Sequence, residues 1–221
     1  MENIIRRASG IDLSATRTTH RAISNSGVAR TESASPIFYY LDVQMPIMTQ
    51  EQYDLTQDDL IDLDYGVEFS VPTTMPFGLT RVANPTYWDS DTVTSNRVAA
   101  QTGRTIILDG FPAAGRDVVD GLRRGDYIQF DYSGVVLTTN LGANKVYQLS
   151  ENATINASGQ ATVTLNTPVI IPVPNNIRVR SGAEVRFRWL LSSVPTSQSI
   201  PGASGSVLYS YQDAFTFREV L

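Results

Sequence analysis

The chain has 221 residues, a formal net charge of −5 and no cysteine. That length suits one large β domain or two small ones and buries a core without covalent staples. The lack of cysteine excludes disulfides, Cys-ligated zinc, iron–sulfur clusters and thiol nucleophiles, and it fits a chain made in a reducing cytosol.

The first seven residues, Met1-Glu2-Asn3-Ile4-Ile5-Arg6-Arg7, lead into no apolar run. Nowhere does the chain approach the roughly 18 consecutive apolar residues of a membrane-spanning helix. The expectation is a soluble, unexported chain with no membrane partner. Residues 1–36 are rich in Ser, Thr, Ala and Arg and poor in large apolar residues, a composition expected to form an extended or disordered N-terminal arm. Arg6, Arg7, Arg17, Arg21 and Arg30 fall within it, and no further cation occurs until Arg81. The intervening stretch holds Glu32, Asp42, Glu51, Asp54, Asp58, Asp59, Asp62, Asp64 and Glu68. A basic arm and an acidic face on one chain suit head-to-tail contact between copies. Two solvated faces account for the same distribution. Lys145 is the only lysine; every other cation is arginine, which forks onto carboxylates and is the better interface cation.

Ile37–Val43 is dense in aromatic and β-branched residues and predicts a strand, closed by Pro46. Thr49 with Gln52 reads as a capping box opening a helix over about 50–62, with Glu51 and Asp54 at its positive end. Tyr53, Gln57, Leu60, Ile61 and Asp64 give that helix a partial stripe, and Thr56 is a second possible cap at which it could break. Val67–Val71 predicts a strand, 72–90 a long loop, and Thr92–Val98 another strand.

From residue 101 the pattern is short strands between turns. Thr105–Leu108 runs into Asp109-Gly110, and Tyr127–Phe130 follows Gly125-Asp126. Val135–Leu137 and Lys145–Leu149 flank a predicted hairpin loop at Asn140–Asn144. Ala161–Leu165 follows Ser158-Gly159, while Val169–Ile171 and Ile177–Val179 are split by Pro172 and Pro174. Glu184–Trp189 alternates, so Arg186 and Arg188 should lie opposite Phe187 and Trp189. Val207–Tyr211 and Phe215–Val220 end the chain. The expected fold is mainly β: a β-sandwich core with one short helix and an inserted small β-barrel or hairpin region. The expected division is arm 1–36, core 37–100 plus 181–221, and insert 101–180.

Several of these elements, in this order, carry a resemblance. They are Gln101-Thr102-Gly103 with Asp109-Gly110-Phe111, Gly121-Leu122-Arg123-Arg124-Gly125-Asp126-Tyr127-Ile128-Gln129-Phe130, Lys145-Val146-Tyr147 and Ser158-Gly159-Gln160-Ala161-Thr162. Together with Met45–Gln50 and the aromatic end Tyr209–Val220, they resemble a family of distal tail or minor tail proteins of tailed bacteriophages over about 37–221. The resemblance implies a structural virion protein of the tail tip or baseplate, made in the host cytoplasm. It implies a ring, commonly hexameric, that joins the tail tube to the hub or receptor-binding apparatus.

Catalytic chemistry finds little support. His20, the only histidine, sits in the arm, where a catalytic base lacks a rigid surround. Asp58, Asp59, Asp62 and Asp64, or Asp89 and Asp91, are acidic enough for calcium, but Asp62-Leu63-Asp64-Tyr65-Gly66 lacks the ligand pattern of a calcium loop. No spacing singles out a carboxylate pair for glycoside hydrolysis, and no phosphate-binding loop is present. Asn152-Ala153-Thr154 and Asn156-Ala157-Ser158 are glycosylation sequons without a secretory signal. The chain is therefore expected to be non-enzymatic, with no cofactor, no metal and no nucleic-acid partner. The expected interface pairs Arg6, Arg7, Arg17 and Arg21 with Asp58, Asp59, Asp62 and Asp64 of a second copy. The alternative is a carbohydrate- or receptor-binding module using Tyr65, Tyr87 and Trp88.

Overall fold

The computed structural model describes residues 4, 7–16, 19–23, 29–33, 37–63, 92–96, 100–112, 115–137 and 142–220. The predicted strand at 67–71 and loop at 72–90, with Tyr65, Tyr87 and Trp88, lie outside them. In chain order the strands are β1 (Gly10–Thr16), β2 (Thr19–Ile23), β3 (Ala29–Ser33), β4 (Phe38–Gln44), β5 (Met48–Thr49), β6 (Thr94–Ser95), β7 (Thr105–Asp109), β8 (Val118–Leu122) and β9 (Tyr127–Phe130). They continue with β10 (Val146–Gln148), β11 (Ala153–Ile155), β12 (Ala161–Thr164), β13 (Val179–Ser181), β14 (Trp189–Ser193), β15 (Ser197–Pro201), β16 (Val207–Tyr211) and β17 (Phe215–Glu219). The helix α1 spans Gln50–Leu63. The fold is mainly β, as the turn-punctuated pattern predicts.

The chain divides into two compact units: residues 1–16, 38–69 and 188–220 form one, and 17–37, 70–187 and 221 the other. In the first unit an antiparallel sheet runs β1-β4-β17-β14, and a second runs β15-β16-β5. Alternation explains the first sheet: Tyr39, Leu41 and Val43 of β4 are buried, as are Phe215 and Phe217 of β17 and Trp189 of β14. Their register sets Phe215 opposite Val43 and Phe217 opposite Leu41. Glu219 is buried beside them, where its Oε2 accepts the Tyr39 amide at 3.3 Å. Seven residues of the 1–36 segment are taken up as β1, which pairs with β4 from Gly10↔Gln44 to Thr16↔Phe38.

α1 opens on the predicted capping box. The Thr49 amide donates to Gln52 Oε1 at 3.1 Å, and the Gln52 amide donates to Thr49 Oγ1 at 3.4 Å. The helix runs unbroken through Thr56, which is buried and donates to the Gln52 carbonyl at 2.8 Å. That bond satisfies the hydroxyl within the helix, so no second cap forms. Thr56 and Leu60 face inward, whereas Ile61, expected on the inner stripe, is 65% exposed.

In the second unit one sheet runs β6-β7-β12-β11-β8 and another β10-β9-β13, with β2 and β3 forming a separate two-stranded sheet. One apolar core lies behind the two larger sheets, including Ile106, Leu108, Leu122, Ile128, Phe130, Tyr147, Ile155, Val163 and Val179. The strand ladders do not close into a barrel, the first of the two forms expected for the insert. Where the two sheets meet, pairing falls to single bridges, Thr94↔Arg178 and Leu149↔Leu165. The strands are only two to five residues long, and Pro168, Pro172 and Pro174 withhold amide donors just before β13.

The predicted hairpin between 135–137 and 145–149 is also replaced. Residues 135–137 form no strand, Val136 is 99% exposed, and β10 pairs with β9 instead. Asp131 accepts the Ser133 amide at 3.0 Å and turns the chain away before those valines can pair. Val169–Ile171 likewise forms no strand; the Ile170 amide donates to the Tyr147 hydroxyl. A 3₁₀ turn at Gly182–Glu184 replaces the start of the strand predicted from Glu184. The alternation nevertheless holds, with Val185, Phe187 and Trp189 buried and Arg186 exposed. The lone lysine, Lys145, is buried and donates to the Ile37 carbonyl.

Candidate assembly surfaces

Three side chains of α1, Gln50, Tyr53 and Gln57, fix the helix against β15 and β16 in the first unit. Tyr53 stacks on Tyr209 with ring centroids 4.3 Å apart, and Tyr211 lies beside Tyr53 and edge-on to Phe215. Polar contacts set the register of the helix: Gln57 Nε2 donates to the Tyr211 hydroxyl at 2.6 Å, Tyr53 and Ser197 share a hydroxyl contact at 3.0 Å, and the Tyr209 hydroxyl donates to Gln50 Oε1. Burial in this cluster pushes the Tyr211 hydroxyl up to about 12; the neighbouring Tyr53 adds to the shift and the Gln57 hydrogen bond opposes it.

With its inner side so occupied, α1 turns Glu51, Asp54, Leu55, Asp58 and Ile61 outward. These positions recur at helical spacing, so acidic and apolar side chains alternate along one exposed stripe. Asp58 is exposed and Asp59 half-buried. Asp62 lies in α1 and Arg21 in β2, and Arg6, Arg17 and Asp64 lie outside the described residues. Arg7 is half-buried, and its guanidinium donates to the Gln52 carbonyl in the first turns of α1, at 3.4 Å. The structure thus places Arg7 at the acidic helix of its own chain, about two turns from Asp58 and Asp59.

A second set of surfaces was not anticipated from sequence. β1 and β14 are the two outer strands of their sheet, and β15 is an outer strand of the other. Among the described residues, no strand pairs with the outer sides of these three. β1 has no buried residue, and β14 is buried only at Trp189. Leu190, Val194 and Val207 are 44%, 56% and 46% exposed on the β14–β16 segment. Apolar residues beside an open strand edge are the usual mark of a contact surface. The sequence signal was an apolar run, which reads equally as core.

In the second unit Arg180 meets Asp131 at 2.5 Å and Arg178 meets Glu184 at 3.0 Å. Burial pushes the Asp131 carboxyl up, but the Ser133 hydroxyl and amide and the Arg180 guanidinium outweigh it and hold the group below the usual range. Among the described residues no three His, Asp or Glu side chains gather as metal ligands, and no helix is long and apolar enough to cross a membrane. In comparisons with known proteins, no family model matches the chain and no curated protein matches it.

Proposed function

We propose that this chain is a non-enzymatic structural protein that self-associates into a ring, as a component of a bacteriophage tail tip or baseplate between the tail tube and the hub. The observation that carries the self-association is the open pair of edges on one sheet. Among the described residues, no further strand pairs with the outer side of β1 at one end or of β14 at the other. Adding β14 of one copy to β1 of the next continues the sheet through a head-to-tail contact, and such a contact closes into a ring when its rotation allows. Ring closure also covers edges that would otherwise promote open-ended aggregation. The phage assignment rests on the ordered resemblance of residues 37–221 described above. The hexamer number and the tube and hub as neighbours belong to that resemblance.

The test is light scattering of the purified full chain with negative-stain images of the same fraction. Closed rings, or oligomers that grow with concentration, support the proposal. The double variant Leu190→Lys, Val194→Lys places charge on β14 and immediately after its end, at two exposed positions, and should shift assembly towards monomer with the melting temperature retained. A strict monomer at high concentration overturns self-association by this chain alone.

A further inference from the structure

The outer face of the five-stranded sheet in the second unit holds a groove of about 450 Å³. Strand alternation builds it. Ala153, Ile155, Ala161 and Val163 point into the core, so Thr154 and Thr162 point out, and Ile107 stands opposite Thr162 in the ladder. Asn152, Asn156 and Gln160 also line it, together with Ala153 and Ala161, and no charged residue takes part.

The three amides are held by the protein's own hydrogen bonds. Asn152 Oδ1 accepts the Arg124 amide at 2.8 Å. Asn156 Oδ1 accepts the Ser158 and Gln160 amides at 3.0 and 2.9 Å. Gln160 Nε2 donates to Asp109 at 3.3 Å, and Asp109 also takes Asn96 Nδ2 and the Gly110 amide. Each amide therefore has one end fixed, and among the described residues the other end bonds nothing: the Nδ2 groups of Asn152 and Asn156 remain as donors, and Gln160 Oε1 as an acceptor. The Thr154 and Thr162 hydroxyls can do either.

We infer that this groove binds a neutral saccharide. Sugar hydroxyls donate and accept at once, which matches a mixed, uncharged set of fixed donors and acceptors. Ile107 supplies a half-buried apolar surface for the C–H face of a sugar ring. Because hydrogen bonds to backbone amides hold Asn152 and Asn156, and one to the Asp109 carboxylate holds Gln160, little side-chain entropy is lost on binding. An anion finds no cation in the lining. An added peptide strand finds no free edge, since β11 and β12 are interior strands of their sheet. The inference does not depend on ring formation.

The test is a microarray of neutral oligosaccharides built from glucose, galactose, rhamnose and N-acetylglucosamine, with each hit titrated calorimetrically against the full chain. The double variant Asn152→Asp, Asn156→Asp keeps both backbone-accepting oxygens and removes both donors. Thr162→Val removes one hydroxyl from an exposed strand position. The expected result is saturable binding to at least one array member, weakened by about tenfold or more in the Asp variant with the melting temperature unchanged. A silent array, or a hit whose affinity neither variant changes, overturns the assignment.

Discussion

Tyr53 of α1 and Tyr209 of β16 lie ring on ring, with centroids 4.3 Å apart and planes inclined by 16°. They are 156 positions apart in the chain, so this stack locks the one described helix to a strand near the chain's end. Stacked aromatic pairs add about 0.5–1.5 kcal/mol beyond the area they bury. Tyr209→Ala should therefore lower the unfolding free energy by about 1.5–2.5 kcal/mol, the stack and the hydroxyl contact to Gln50 together. Tyr209→Phe should cost about 1 kcal/mol, the hydroxyl contact alone. Urea unfolding of the two variants separates these contributions.

The neighbouring Tyr211 makes stability sensitive to base. Its hydroxyl ionises near 10 in an unfolded chain and near 12 when folded. Below the unfolded value both states hold the proton and the native contribution is fully present. Between the two values the unfolded chain loses its proton first, so stability falls as pH rises. Melting temperatures measured from pH 9 to about 12 should decline less steeply in Tyr211→Phe than in the parent. An unchanged slope would show that the hydroxyl is not held in this way.

Gly110 tests the close approach between the segments around β6 and β7. Its φ is +87°, and a Cβ at this position would collide with the Thr92 carbonyl. Gly110→Ala thus combines backbone strain with a clash against main chain that cannot swing aside. The expected loss is about 3 kcal/mol or more, read as a drop in melting temperature.

Asp131 and Arg180 can be read as a coupled pair. The Asp131 side chain is 11% exposed and that of Arg180 25%. In a double-mutant cycle with Asp131→Asn and Arg180→Gln, the coupling should be about 1–3 kcal/mol at neutral pH. Because the folded carboxyl titrates below its unfolded value, the coupling should be present above about pH 4 and fade on further acidification.

The acidic stripe of α1 gives a prediction about assembly. Reversing charge to Arg at Glu51, Asp54 and Asp58, the acidic residues that α1 turns outward, should weaken self-association and alter its salt dependence, while circular dichroism of the dilute chain stays unchanged. Assembly that is indifferent to the reversal would reject any pairing of this helix with the arginines of the N-terminal segment.

The sequence by itself determined the mainly β character, the helix with its Thr49–Gln52 box, and the in-and-out alternation of Val185–Trp189. These follow from near-neighbour geometry, because capping spans three residues and strand alternation two. Tertiary structure decided which strands pair. Tyr127–Phe130 takes Val146–Gln148 as its partner, while Val135–Leu137, equally apolar in sequence, remains without a strand. It also decided that Leu190, Val194, Val207 and Ile61 are exposed, and that Asn152, Asn156 and Gln160 share a groove with Thr162. Pairing and burial depend on contacts between residues far apart in the chain, and local composition carries no record of which distant segment covers which face.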